Sequence, residues 1–154
     1  MTLAKYRAKR KFNKTTEPEG EVKKKNLFRF VVQKHQASHL HYDFRLEREG
    51  VLKSWAVPKG VPEEAGIKRL AVEVEDHPVD YINFSGRIPE GEYGAGLVEI
   101  WDKGKWQALD GSLAKGSMKF RLEGEKLKGE YVLVKLKDGK NWLVYKCGKK
   151  YKSP

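Results

Sequence analysis

The sequence predicts a mainly β protein, a closed antiparallel β-barrel of about eight strands with one or two short flanking helices. Two observations predict it. From residue 26 onward, short segments alternate apolar and polar residues, which is the pattern of half-buried strands. Glycine-containing turns separate these segments, and apolar residues with helical spacing are scarce. Short strands joined by tight turns favour a barrel or a tightly closed sandwich.

Residues 1–25 are predicted to form a basic N-terminal arm. A short helix is expected near residues 3–11, and the threonines, proline and glycine at 15–20 favour irregular chain after it. The arm is expected to belong to the same domain as residues 26–154, because 154 residues suit a single hydrophobic core. Residues 26–154 are expected to form the barrel and to end in a short basic tail that contains Lys149, Lys150 and Lys152.

Three strands can be placed from local alternation. Residues 28–33 and 70–75 predict half-buried strands, the second with Leu70, Val72 and Val74 on its apolar face. Residues 118–122 alternate in the same way and predict a third.

Turns and loops follow from glycine and proline. The Asp-Lys-Gly at 102–104 and the Asp-Gly at 138–139 predict hairpin connections. The stretches at 58–66 and 89–96 are rich in proline and glycine, and they predict long loops inside the domain.

The chain is strongly basic. It has 32 lysines and arginines against 21 aspartates and glutamates, a net charge of +11 at pH 7. Such a field attracts polyanions, so nucleic acid is the expected partner. The alternative is that the excess lysine only keeps the protein soluble, and charge alone does not separate the two.

The sequence indicates a cytoplasmic protein. No apolar run approaches the roughly 20 residues that cross a bilayer, so no membrane association is expected. The N-terminus also lacks the apolar stretch of a secretory signal. The one cysteine, Cys147, cannot form an intramolecular disulfide, and we expect it to be a small core residue.

Three of the four histidines lie within seven residues of one another, at positions 35, 39 and 41. Because side chains alternate on a strand, His41, Asp43 and Arg45 should share one face. His39 shares that face, and we expect it to be exposed or outside the ligand set. Imidazole and carboxylate together suit a divalent metal such as Mn²⁺, Zn²⁺ or Co²⁺. Arg45 does not ligate metals, but it can clamp a phosphate through two hydrogen bonds.

A simpler interpretation is that these residues form the solvent face of an amphipathic strand. His35, at the end of the preceding strand, adds a third potential ligand and favours a metal site. Three protein ligands leave coordination positions open for substrate and water, as catalysis requires. A structural metal site completed by His39 is a further alternative.

A second segment, around His77, has similar chemistry. Pro78 is expected to end a strand and to place His77 on a loop. There the histidine can bind a phosphoryl oxygen or protonate a leaving group, and the Tyr81 hydroxyl can donate a hydrogen bond. The alternative is a loop histidine without a function.

Other residues are weaker candidates. Lys59, Arg69 and Arg87 could contact a nucleic acid backbone, although each one singly is more often a surface charge. The glycine-rich loop at 88–96 lacks the strand-to-helix context of a P-loop, and we interpret it as a tight turn. The four tryptophans are assigned mainly to the core, with one that could stack on a terminal base.

Five segments form an ordered set of motifs: FVVQKH at 30–35, HYDFRL at 41–46, SWAVPKG at 54–60, EDHP at 75–78 and IPEGEYGAG at 88–96. Together they resemble the 3′-phosphoesterase domain of bacterial DNA ligase D, over nearly the whole chain. The resemblance implies a β-barrel phosphoesterase, typically manganese-dependent. It further implies removal of a 3′-terminal ribonucleoside and then of the remaining 3′-phosphate, which leaves a 3′-hydroxyl for repair synthesis or ligation in non-homologous end joining.

The resemblance also implies roles for individual residues. The family's metal ligands fall on His35, His41 and Asp43. Its phosphate-contacting residues fall on Arg45, His77 and Tyr81. Positions that match residues implicated in activity or in supporting the site are Gln33, Lys59, Arg69, Glu75, Arg7 and Glu17, and Arg10 also fits the pattern of the arm.

One position in the arm departs from the family. The family usually has an acidic residue before a phenylalanine, where this chain has Lys11 before Phe12. Acidic residues of that arm help the ribonucleoside-removing step in the family.

The partners implied are DNA or RNA-tailed DNA 3′ ends. No polymerase or ligase segment accompanies the domain in this sequence, so we expect a stand-alone, monomeric enzyme that meets a polymerase and a ligase as separate proteins. The alternative function is a non-catalytic, basic nucleic-acid-binding β-barrel with a structural metal site.

Overall fold

The computed structural model describes residues 2–23 and 25–148. The expected basic tail beyond residue 148 lies outside them. The described elements, in chain order, are α1 (Ala4–Ala8), β1 (Arg29–Gln36), β2 (Leu40–Arg48), β3 (Val51–Val57), β4 (Lys68–Pro78), a 3₁₀ helix (Val79–Asn83), β5 (Gly86–Ile88), β6 (Gly96–Ser112), β7 (Ser117–Glu123), β8 (Lys128–Lys135) and β9 (Asn141–Lys146). Among these residues, no helix is both long and apolar enough to span a lipid bilayer.

The strands form one antiparallel sheet that closes on itself. Their order is β1-β2-β3-β4-β9-β8-β7-β6-β5, and a further pairing between β1 and β6 closes an eight-stranded barrel. The short β5 is an extra strand on the edge of β6. The predicted closed barrel with short flanking helices is therefore confirmed, although α1 is five residues long and ends before the predicted boundary.

The main core fills the inside of the barrel. Trp55, Trp106 and Trp142 are at most 3% exposed, and Trp101 packs against the same cluster, as predicted for the tryptophans. Strand β7 alternates as predicted, with its three apolar side chains at 118, 120 and 122 pointing inward. Each large apolar side chain buried in this way contributes about 1.5–3 kcal/mol to folding.

A second apolar cluster covers the outer face of the barrel. Val31 and Leu52 on the barrel pack there against Tyr6 of α1 and against the 3₁₀ helix. The strand predicted at 28–33 is present as β1. It is buried on both faces, including Gln33, so the prediction that it is half-buried is wrong. The helix α1 and the 3₁₀ helix bury the outer face of β1, and the alternation within one strand gives no information about such distant segments.

The predicted hairpin at 102–104 is also wrong. These residues lie inside β6, which pairs with β1 over residues 97–105 and with β7 over residues 105–112. The buried Asp102 carboxylate instead accepts backbone N–H groups of the turn at 125–127. Gly104 is required because a Cβ there would lie 2.1 Å from the Glu123 carbonyl oxygen. The hairpin at 138–139, between β8 and β9, is confirmed.

The first half of strand β4 points its side chains in the direction opposite to the one predicted. Leu70 is 41% exposed, whereas Ala71 belongs to the barrel core. The carboxylate of Glu73, on the same face as Ala71, accepts a hydrogen bond from Trp142 Nε1 at 2.8 Å. A small residue and a hydrogen-bonded carboxylate thus point inward because Trp55 and Trp142 already occupy that space. Cys147 is partly buried and lies outside the core.

Candidate active site

A cavity of about 290 Å³ lies outside the barrel wall, between the arm, the 3₁₀ helix and the loop before β6. Strands β1, β2 and β4 supply most of its polar side chains, and the arm closes one side. Its lining includes Arg10, His35, His41, Asp43, Arg45, Glu75, His77, Tyr81, Tyr93 and Gly94. The fold thus brings together residues from the arm, β1, β2, β4, the 3₁₀ helix and the loop before β6.

Two histidines and an aspartate converge at one end of this cavity. His35 and His41 are paired residues in the β1–β2 ladder, and Asp43 follows two residues along the same face of β2. One donor atom from each of the three lies within 4.8 Å of the other two. Strand register therefore places His35, the third potential ligand, which alternation alone could not place.

The hydrogen bonds of the two imidazoles prepare both for a cation. His35 Nε2 donates to the Gly94 carbonyl oxygen at 2.6 Å, and His41 Nδ1 donates to the His39 carbonyl oxygen at 3.0 Å. In the neutral rings the opposite nitrogens carry the lone pairs, and they lie 3.4 and 3.3 Å from the two carboxylate oxygens of Asp43. Metal-binding histidines typically donate their second nitrogen to a carbonyl in this way. The donor set fits a divalent first-row metal.

The electrostatics of the triad favour positive charge between these atoms. Burial opposes ionisation of Asp43, but Arg45 and the two histidines overcome it and hold the pKa of Asp43 far below its usual value. A hydrogen bond to Asp43 raises the pKa of His41, against the opposing effect of burial. The Asp43 carboxylate is therefore ionised. It favours a positive charge beside it, which a protonated His41 supplies when no metal is bound.

Arg45 lies beside the triad and is only 3% exposed. Its Nε donates to the Gln33 side-chain oxygen at 2.7 Å, and its Nη1 donates to Ser54 Oγ at 2.9 Å. The remaining Nη2 is 3.6 Å from Asp43 Oδ2. Gln33 is itself fixed, since its amide donates to the carbonyls of Tyr81 and Phe84. The guanidinium is thus held rigidly beside the carboxylate, in the wall of the cavity.

His77 lies within β4, where it pairs with Leu52, and it is 4% exposed. The expectation that Pro78 would place it on a loop is wrong: the strand continues to Pro78, where only β3 pairs with it, and proline is tolerated at such an edge.

His77 Nδ1 donates to the Glu75 carbonyl oxygen, and Nε2 accepts from Arg10 Nη2 at 3.3 Å. Burial first, then Arg45 and Arg10, hold its pKa well below the usual value. His77 is therefore neutral.

The N-terminal arm lines the cavity through Arg10, which Glu17 holds in place. Arg10 Nε donates to Glu17 Oε2 at 3.0 Å, and the Tyr81 hydroxyl donates to the same oxygen at 2.6 Å. Tyr81 also lies under Arg45, whose guanidinium carbon is 4.8 Å from the ring centroid. Burial raises the pKa of Tyr81 well above its usual value, so its hydroxyl stays protonated.

Comparison with known proteins identifies this architecture. A family model described as the DNA ligase D 3′-phosphoesterase domain matches residues 33–135. The chain belongs to this family. The resemblance found in the sequence motifs is thereby confirmed.

Relatives of high identity carry this domain within longer proteins. The multifunctional non-homologous end joining protein LigD of Pseudomonas aeruginosa is 55% identical over 139 residues, covering 86% of this chain and 16% of that protein. The proteins of the same name from Mycolicibacterium smegmatis and Mycobacterium bovis are 47% and 43% identical, each over 94% of this chain and over 20% and 19% of their own lengths. The chain thus spans a fifth or less of the length of these relatives.

Some of the residues that the family resemblance implicated in activity do not line the cavity. Arg7 Nη2 donates to the Gly20 carbonyl and ties the arm together. Arg69 Nη1 donates to the carbonyls of Lys59 and Gly60, and it fixes the loop after β3, on which Lys59 is exposed. His39 lies in the turn before β2 and is exposed, as expected.

Sequence reasoning assigned no role to Arg10, Tyr93 or Gly94, although all three line the cavity. In the sequence, Arg10 only fits the arm pattern of the phosphoesterase family. Gly94 has φ of 77°, a conformation that favours glycine and that turns its carbonyl toward His35. The glycine-rich loop at 88–96 was the available signal, since such a loop permits close approach of backbone to a functional group.

Proposed function

We propose that the chain is a divalent-metal-dependent 3′-end-healing phosphoesterase of DNA and RNA-tailed DNA. It removes a 3′-terminal ribonucleoside by phosphodiester cleavage and then removes the remaining 3′-phosphate, which leaves a 3′-hydroxyl for repair synthesis or ligation. The observation that carries this proposal is the convergence of three metal-ligating side chains with Arg45, Arg10 and His77 in one cavity. Membership of the phosphoesterase family supports the same reaction class.

His35, His41 and Asp43 would hold the metal, and Mn²⁺ is our choice, with Co²⁺ and Zn²⁺ as the alternatives. A divalent ion bound there supplies Lewis acidity and lowers the pKa of bound water. The protein's own task is to orient both imidazoles, which the carbonyls of Gly94 and His39 do. These two hydrogen bonds leave one lone pair of each ring facing Asp43.

Arg45 and Arg10 would bind the phosphoryl oxygens. Both guanidiniums are held by partners on one side, Gln33 for Arg45 and Glu17 for Arg10, so little entropy is lost when they meet an anion. Fixed donors in a dry site stabilise charge that develops during hydrolysis more than mobile donors do.

His77 would bind the phosphoryl group as the third contact. In the free protein its Nε2 accepts from Arg10, so a neutral His77 has no N–H to offer an incoming oxygen at that atom. Arg45 and Arg10 disfavour a proton on Nε2 because they are positively charged. A bound phosphate dianion would offset their charge and so favour that proton. The Tyr81 hydroxyl donates to Glu17, and it would have to leave that partner to reach a phosphate.

The test is release of inorganic phosphate from a DNA strand that ends in a 3′-phosphate. We expect turnover with added Mn²⁺, none after treatment with a chelator, and recovery when Mn²⁺ is restored. A strand with a single 3′-terminal ribonucleotide tests the first step in the same way. Turnover that is insensitive to the chelator, or tight binding of the strand with no turnover in any of the three metals, would contradict the proposal.

A further inference from the structure

A second cavity, of about 530 Å³, adjoins the catalytic cavity. Its floor is the segment 72–75 of β4, one wall is α1 and the opposite wall is the turn between β8 and β9. Val74, Glu75 and Tyr93 line both cavities, so the two meet at these residues. We call the second cavity the lysine groove, after Lys5, Lys9, Lys135 and Lys140 in its walls.

The groove carries excess positive charge. Its two carboxylates are already engaged: Glu75 pairs with Lys9 at 3.0 Å, and Glu73 accepts from Trp142 Nε1. Within the described ranges, the other three lysines of the groove make no ion pair with a carboxylate. These ammonium groups are therefore available to an external anion, and a row of them suits the repeating phosphates of a nucleic acid strand.

Tyr93 stands where the groove meets the catalytic cavity. It is 47% exposed, and Lys9 Nζ lies 4.8 Å from its ring centroid. Its neighbour Gly94 is hydrogen-bonded to His35, which fixes the position of the loop relative to the candidate metal ligands. An exposed aromatic ring beside basic side chains is the usual platform for stacking an unpaired nucleobase.

We propose that the lysine groove binds the last nucleotides of a single nucleic acid strand and that Tyr93 stacks on the base at its 3′ end. The terminal phosphate would then enter the cavity that contains Arg45. A cavity of this size takes a ligand of small-molecule dimensions, so it accepts unpaired nucleotides and leaves a duplex outside. The inference rests on the proposed function, which places the terminal phosphate in the catalytic cavity.

The experiment is fluorescence anisotropy with a labelled single-stranded DNA that ends in a 3′-hydroxyl, titrated with the Mn²⁺-loaded full chain at several salt concentrations. Tyr93→Ala should weaken binding by about 5-fold or more, while Tyr93→Phe, which keeps the ring, should bind as the unmodified chain does. Lys140→Glu and Lys5→Glu should each weaken binding and reduce the slope of log affinity against log salt by about 0.7.

Lys128→Glu is the matched control for Lys140→Glu: the charge change is the same, and Lys128 lies at the opposite end of β8 from the groove residue Lys135. It should cost much less affinity than Lys140→Glu. Equal losses of affinity in the two variants, or unchanged binding by Tyr93→Ala, would contradict the proposal that the lysine groove binds the strand. Phosphate release from a 3′-phosphate strand is measured in parallel. If binding follows the expected pattern and no phosphate is released, the strand-binding role of the groove is supported and the proposed function is wrong. If phosphate is released and the binding pattern is absent, only the strand-binding role of the groove is wrong.

Discussion

The Tyr81 hydroxyl donates to Glu17 Oε2 at 2.6 Å, a contact between residues 64 positions apart. It joins the 3₁₀ helix after β4 to the N-terminal arm. The same carboxylate accepts from Arg10, which in turn donates to His77. The arm is therefore a wall of the candidate active site, and its attachment depends on a buried ionic group.

Replacing Glu17 alone should destabilise the fold strongly. The Arg10 and Glu17 side chains are 5% and 1% exposed, so Glu17→Met leaves a buried cation with only its longer ion pair, to Glu75 at 3.5 Å. We expect a loss of about 3 kcal/mol in the free energy of unfolding. Urea denaturation measures it, with Glu19→Met, an exposed glutamate two residues away, as the control.

The double variant Arg10→Met with Glu17→Met separates a lost contact from a buried charge that keeps only one of its two carboxylate partners. It removes both members of the pair, so it should recover a large part of the stability that Glu17→Met loses. A double variant that is less stable than Glu17→Met would show that the pair itself, and not the remaining buried cation, accounts for the loss.

Arg45→Lys should reduce the rate of phosphate release by about 100-fold, the typical effect of removing one fixed donor. An ammonium does not reproduce the fork that contacts Gln33, Ser54 and Asp43 together. Arg48→Lys, at the end of the same strand, is the control and should keep full activity. Equal activity in both variants would remove Arg45 from the proposed mechanism.

Stability should depend on pH through His77. Its pKa in the folded protein is well below 6.5, because burial and then Arg45 and Arg10 disfavour the charged ring. Unfolding restores a pKa near 6.5, so below that pH the unfolded state binds a proton that the folded state does not. The free energy of unfolding contributed by this residue therefore falls with decreasing pH, by up to about 1.4 kcal/mol per pH unit.

Comparison with His77→Gln isolates this effect. Both proteins are unfolded in urea at pH 7.5, 6.5 and 5.5 with chelator present. His41, whose pKa is shifted in the opposite direction, then contributes equally to both. The difference between the two proteins should change steadily below pH 6.5, in favour of the variant. A difference that stays constant with pH would contradict a neutral, buried His77.

The sequence was most informative where the relevant rule is local. Alternation along one strand predicted that His41, Asp43 and Arg45 share a face, and the structure shows all three in one cavity. The same rule failed for β1, because a layer that covers its outer face comes from the arm and the 3₁₀ helix, far away in the chain.

The rest of the site depends on contacts between distant segments. His35 meets His41 through the register of β1 and β2, and the family resemblance, not periodicity, placed it in the ligand set. Arg10 reaches His77 across 67 positions, and nothing in the local sequence around either residue indicates that contact. Register and long-range ion pairs are set by the closed barrel as a whole.

The most direct test of the central claim is Mn²⁺ binding by calorimetry to His41→Ala and His39→Ala. These histidines are two residues apart, yet only His41 offers a nitrogen to the triad, while the side chain of His39 is exposed. We expect His41→Ala to lose Mn²⁺ binding and phosphate release together, and His39→Ala to keep both. Unchanged Mn²⁺ affinity in His41→Ala would contradict a metal site formed by His35, His41 and Asp43.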